Sequence, residues 1–154
     1  MGTQSRKSRR PDWRGLAADQ RGATAVEFAL ILPVLALLLF GMIAFGTTLY
    51  NYEVLAGATS TGARQFAVSR GSTTPIANTK SIVFASAPGM DSSKIALGFL
   101  VAGTPCTTEA ACATALQNGV PATLTLAYPC NLKVMGINFA PNCMLGASTT
   151  ARVE

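Results

Sequence analysis

The residues able to do chemistry are few, and they fall in two places. The first is the junction Arg21-Gly22-Ala23-Thr24-Ala25-Val26-Glu27-Phe28, where a basic segment meets a long apolar run. Glu27 is the lone carboxylate at the mouth of that run. A charge inside a bilayer costs about 3 kcal/mol at the centre and less near the interface, so this one calls for a reason. A carboxylate snorkelling to the boundary is the plain explanation, and a specific cationic partner is the sharper one. The second place is the set Cys106, Cys112, Cys130 and Cys143. An even count beyond a membrane span, in an oxidising compartment, predicts two disulfides. Of three possible pairings, Cys106–Cys112 and Cys130–Cys143 are favoured because short loops close at least entropic cost. A metal site is disfavoured, since there is no His and no C-x-x-C spacing.

The same absence of His removes every imidazole base and every Ser-His or Cys-His pair. Beyond the run the acids are Glu53, Asp91, Glu109 and Glu154, scattered with no paired-carboxylate spacing and no phosphate-binding glycine loop. Asp91-Ser92-Ser93 reads as a turn with a helix cap. These features predict a protein that is not an enzyme, with no cofactor, no metal and no small-molecule substrate.

The elements that position these residues follow from composition and period. Of 154 residues, 49% are hydrophobic and 12% charged, about half the usual charged share. From Ala29 to Phe45 the chain reads ALILPVLALLLFGMIAF, without a polar side chain. Taken from Val26 to Leu49 it is long enough to cross a hydrocarbon core of about 30 Å as a helix. Pro33 inside it is tolerated in lipid and predicts a mild kink. Most of the net charge of +5 lies in residues 1–22, where Arg6, Lys7, Arg9, Arg10, Arg14 and Arg21 outnumber Asp12 and Asp19. Beside a span, such a cluster is explained by the positive-inside rule, which places the N-terminus in the cytoplasm and needs no nucleic acid. Trp13 and Leu16 are expected at headgroup level.

Phe45, Leu49, Tyr52, Ala56, Thr59, Ala63 and Phe66 recur at alternating spacings of four and three, so the helix is predicted to run over 24–67 with that face packed. Its small residues suit close helix approach. Ser69 to Thr74 reads as a turn, Asn78 to Ala87 as a short helix or strand, and Pro88-Gly89 as a turn. Ile95 to Ala102 is a strand candidate. Cys106 to Asn118 resembles a short capped helix closed by Gly119. Ala122 to Tyr128 alternates as a half-buried strand with Leu124, Leu126 and Tyr128 on one face, and Ala147 to Val153 is a possible final strand. The predicted fold class is α+β: a long N-terminal transmembrane helix extending out of the membrane, then a small extracytoplasmic head with a few antiparallel strands. The corresponding segments are a basic cytoplasmic leader (1–22), the span (23–49), a juxtamembrane helical extension (50–70) and the head (71–154).

The junction resembles the processing site of type IV pilin-like proteins, in which a membrane prepilin peptidase cuts after a glycine. Wider likeness extends over residues 21–70: R-G-x-x-x-V-E-F-A at Arg21 to Ala29, an L-rich span with Pro, G-T-T-L-Y at Gly46 to Tyr50, and A-T-S-T-G-A-R at Ala58 to Arg64. Over that stretch the chain resembles the TadE-like family, pseudopilin-type components of tight-adherence (Flp) pilus assembly. The resemblance implies that Gly22 precedes the cut, that Ala23 becomes the mature N-terminus, and that Glu27, followed by Phe28, is the pilin-type glutamate. It also implies the bacterial inner membrane as location, with the C-terminal part periplasmic. Implied partners are prepilin peptidase and other pilin-like subunits or the pilus assembly platform. The alternative is an unprocessed single-pass envelope protein whose outer domain binds another partner.

Overall fold

The computed structural model describes residues 20–130, 132–134 and 136–154, with only the backbone described at Gln20, Arg21 and Ala23. Residues 1–19, including Trp13, Leu16 and most of the basic leader, lie outside the described residues. The chain divides into two units, one ending at Leu39 and the other running from Phe40 to Glu154.

Helix α1, Gln20–Val68, begins four residues before its expected start and contains Pro33. Proline leaves one carbonyl of the preceding turn without its usual donor. Up to Leu39 the described side chains are almost all exposed, Val26 at 63% and Leu30 at 73% among them. Among the described residues this is the one helix long and apolar enough to cross a membrane, with a mean hydropathy of 2.8 over its most apolar window. Large apolar side chains bare on every side of a helix need an apolar solvent or a partner.

The second unit is a two-layer α+β head. After α1 come α2 (Pro75–Ala85), β1 (Ala96–Val101), β2 (Thr104–Pro105), α3 (Glu109–Ala115), β3 (Pro121–Pro129), β4 (Lys133–Val134), β5 (Ile137–Asn138) and β6 (Met144–Arg152). The main sheet is antiparallel in the order β2-β1-β3-β6, and β4–β5 form a separate hairpin. β3 follows the predicted alternation: Ala122, Leu124 and Leu126 are buried, while Thr123 and Thr125 lie between them on the other face. On that outer face Thr123 and Thr150 share a hydroxyl hydrogen bond of 2.8 Å. The inner face meets α1, α2 and α3 in one core, where the Phe66 and Phe99 rings stand 5.0 Å apart. β1 turns into β2 through Ala102 and Gly103, both at positive φ (51° and 79°). This is the primed two-residue geometry that suits a twisted hairpin.

The packed face of α1 differs from the expected ridge. Thr59, Ala63 and Phe66 are buried, but Phe45, Leu49 and Tyr52 are exposed at 63%, 58% and 44%. The buried stripe is instead Leu55, Ala58, Thr59, Gly62, Ala63, Phe66 and Ala67, two residues per turn. Burial in a soluble core selects one face of a helix, whereas apolar residues beside a span are equally at home facing lipid. Hydrophobicity therefore stopped marking the core side below Leu55. The segment left open between helix and strand, 78–87, is helical as far as Ala85, and the helix starts earlier, at Pro75, where proline fits the first helical position.

Candidate functional site

The Gly22–Ala23 peptide lies in the first turn of α1. The first four N–H groups of a helix have no intrahelical partner, so this turn unwinds at little cost. Gly22 is exposed, and a Cβ placed on it would meet nothing within 4 Å. Five residues on, a rise of about 7.5 Å along the helix, Glu27 is also exposed, and Phe28 is 61% exposed. Among the described residues Glu27 has no ion pair or side-chain hydrogen bond. Among the described residues, then, nothing crowds Gly22, and the Glu27 carboxylate beside it is exposed.

The cysteines are joined as Cys106–Cys112 and Cys130–Cys143, each with Cα atoms 5.3 Å apart. The first fastens α3 by its middle residue, Cys112, which is fully buried in the core. The second closes the base of the β4–β5 hairpin, and the Cys130 N–H also donates to the Cys143 carbonyl (3.1 Å).

The scattered acids have separate structural tasks. Asp91 caps the short 3-10 turn Ser92–Lys94 by accepting from the Ser93 N–H and hydroxyl, and it pairs with Lys94 at 3.0 Å. The Ser93 hydrogen bonds, then Lys94, hold the Asp91 carboxyl down at about 2. Lys94 is raised by the same contact. Among the described residues no three of His, Cys, Asp and Glu are grouped.

Glu109 has a role that local sequence does not display. Its two carboxylate oxygens accept from the N–H groups of Ile76 and Ala77, both at 2.8 Å, and so cap α2 from 33 and 32 residues away. Thr74, at the cap position itself, makes no side-chain cap bond. A carboxylate on two free N–H groups at a helix N-terminus satisfies donors and opposes the helix dipole together. Glu109→Ala should lower stability by about 1–2 kcal/mol, read from urea unfolding of the full chain in detergent. Glu109→Gln, which keeps an acceptor, should cost less. Equal stability of all three would remove the cap from the account.

Residues 22–64 match the family model described as TadE-like protein. The matched segment opens on Gly22, contains Glu27 and Phe28, and closes at Arg64, an exposed residue of α1 next to the buried Ala63. It covers 43 of the 154 residues. No curated protein and no solved structure matches the chain significantly.

Proposed function

We propose, with the TadE-like segment as premise, that this chain is a pseudopilin or minor-pilin-type component of tight-adherence (Flp) pilus assembly. It is made as a single-pass inner-membrane precursor, with the basic leader 1–22 in the cytoplasm and the head in the periplasm. The span takes residues 23–49, the helical extension 50–70, and the head 71–154. Prepilin peptidase cuts after Gly22, and the mature chain begins at Ala23. Its other partners are pilin-like subunits or the assembly platform.

The observation that carries this reading is the family match beginning on Gly22 with Glu27 five residues later. The physical chemistry agrees. Cutting creates an ammonium at Ala23, and Glu27 of an adjacent copy offers it a counter-charge where water is scarce. The bare apolar surface between Val26 and Phe45 can be covered by lipid before assembly and by neighbouring helices afterwards.

The test is the mass and N-terminal sequence of the protein purified from its own cells. A chain starting at Ala23 is expected, and Gly22→Leu should leave the leader on every copy. A wild-type chain that keeps its leader sinks the processing step and favours an unprocessed anchor. Glu27→Ala should insert normally but assemble poorly. Removing one member of a desolvated pair costs about 3 kcal/mol, roughly a hundredfold in association. Unchanged pilus formation in that variant would overturn the ion-pair role.

A further inference from the structure

Counted from Glu27, about 20 residues at 1.5 Å each cross the hydrocarbon, so α1 leaves it near Thr47. At that level the Thr47 and Thr48 hydroxyls both donate back to the Ala44 carbonyl at 2.9 Å. There the head comes alongside the helix. A cleft of about 520 Å³ has Thr47, Thr48 and Asn51 of α1 on one wall and Lys94, Lys133 and Asn138 on the other. Ala44, inside the apolar run, is only 9% exposed. Within the unit Phe40–Glu154, the head therefore lies beside α1 from Thr47 to Asn51.

The element sharing that cleft is the β4–β5 hairpin. Lys133 pairs with Asn138 on the face lining the cleft, and by the pleat Val134 and Ile137 pair on the opposite face. Ile137 is 64% exposed and Phe139 65%; Met144, just after the disulfide, is 57% exposed. Two-residue strands do not hold together alone in water. Here the Cys130–Cys143 disulfide and a 3.1 Å bond from the Phe139 N–H to the Leu132 carbonyl keep the hairpin formed. A stapled loop bearing exposed Ile and Phe beside a lysine has the composition of an interfacial anchor, apolar towards acyl chains and cationic towards phosphate. Lys94 shares its charge with Asp91, whereas Lys133 has no salt bridge among the described residues.

We infer that this hairpin is a second membrane contact. Ile137 and Phe139 enter the outer surface of the bilayer that α1 crosses, and Lys133 at the cleft receives anionic lipid headgroups. The proposal rests on α1 spanning the membrane, and it commits to lipid as occupant because the hairpin is continuous with the depth at which the span ends.

The test uses the full chain in vesicles, with Trp13→Phe removing the native indole. Phe139→Trp is compared with Leu38→Trp inside the span, using lipids brominated near the headgroup end of the acyl chain or at mid-chain. Phe139→Trp should emit blue-shifted light and lose most of its intensity to the shallow bromolipid, while Leu38→Trp responds to the deep one. Binding should strengthen the Phe139→Trp blue shift in phosphatidylglycerol over phosphatidylcholine vesicles, and Lys133→Gln should abolish that difference. A water-like Phe139→Trp quenched by iodide, beside a lipid-quenched Leu38→Trp, overturns the proposal and leaves the patch to a protein partner. If neither indole is quenched by lipid, the span itself fails. A lipid preference unchanged by Lys133→Gln removes the headgroup role.

Discussion

Gly62→Val should lower the stability of the head by about 3 kcal/mol. Gly62 is buried in α1 at the point where helix, neighbouring helix and sheet come closest. A Cβ there would stand 2.5 Å from Val83 Cγ2 of α2 and 2.6 Å from Leu124 Cδ2 of β3. Both partners are fully buried, so neither can move without displacing others. Alanine is the more informative substitution, because two effects oppose each other. In the helix interior it gains about 1 kcal/mol over glycine, but its methyl must displace a β-branched side chain held in one preferred rotamer. We expect the clash to win, with Gly62→Ala net destabilising by about 1 kcal/mol. Val83→Ala in the same chain removes the nearer methyl and leaves only the end of a flexible leucine. The double variant should therefore be more stable than the sum of the two single changes, a coupling read from a double-mutant cycle in urea. Strict additivity, or a Gly62→Val chain as stable as wild type, would mean that α1 does not make this close approach.

The contrast between Gly62 and the apolar run shows what was legible before the structure. The span needed only length and composition, because a bilayer imposes a linear requirement on the chain. β3 was legible because alternation reports a sheet with one dry face, and Ala122, Leu124 and Leu126 are that face. The helix stop, the α3 cap at Thr108 and the turn at Gly119 follow from local backbone chemistry. Gly62 was visible only as one of several small residues in a run. Which of them meets β3 depends on a rotation of the helix that hydrophobicity cannot fix beside a membrane. The Glu109 cap joins groups 33 residues apart, and no local window contains both. The β4–β5 strands are two residues each, too short for a period. At the Gly22–Glu27 junction the reverse holds: the motif singles out both residues, while the fold shows only that both are exposed.

Replacing Cys106 and Cys112 together by Ala should cost the head about 3–4 kcal/mol. Two contributions add. Releasing a closed loop of this length restores denatured-state entropy worth about 2 kcal/mol, the two cysteines being six residues apart. Both side chains are also buried among Leu116, Val101 and Phe99 in the core, so removing two sulfurs leaves unfilled volume worth about 1 kcal/mol or more. Because α3 carries Glu109, a loosened α3 also withdraws the cap from α2, and the loss should exceed that of Glu109→Ala alone. The Cys130–Cys143 pair closes a longer loop, 13 residues in separation, and loop entropy by itself ranks it about 0.6 kcal/mol higher. Its replacement should nonetheless cost less. The freed hairpin gains motion in the folded state, which offsets part of the gain in the unfolded state, and it exposes apolar side chains that were never in the core. The nine-pair β3–β6 ladder holds the remainder in register. Hydrogen exchange separates the two cases. Without Cys130–Cys143 the Phe139 amide should lose protection while amides across β3 and β6 keep theirs; without Cys106–Cys112, protection should fall in α2 and α3 together. A head destabilised more by losing Cys130–Cys143 would show that the hairpin, and not α3, is the tether on which the core depends.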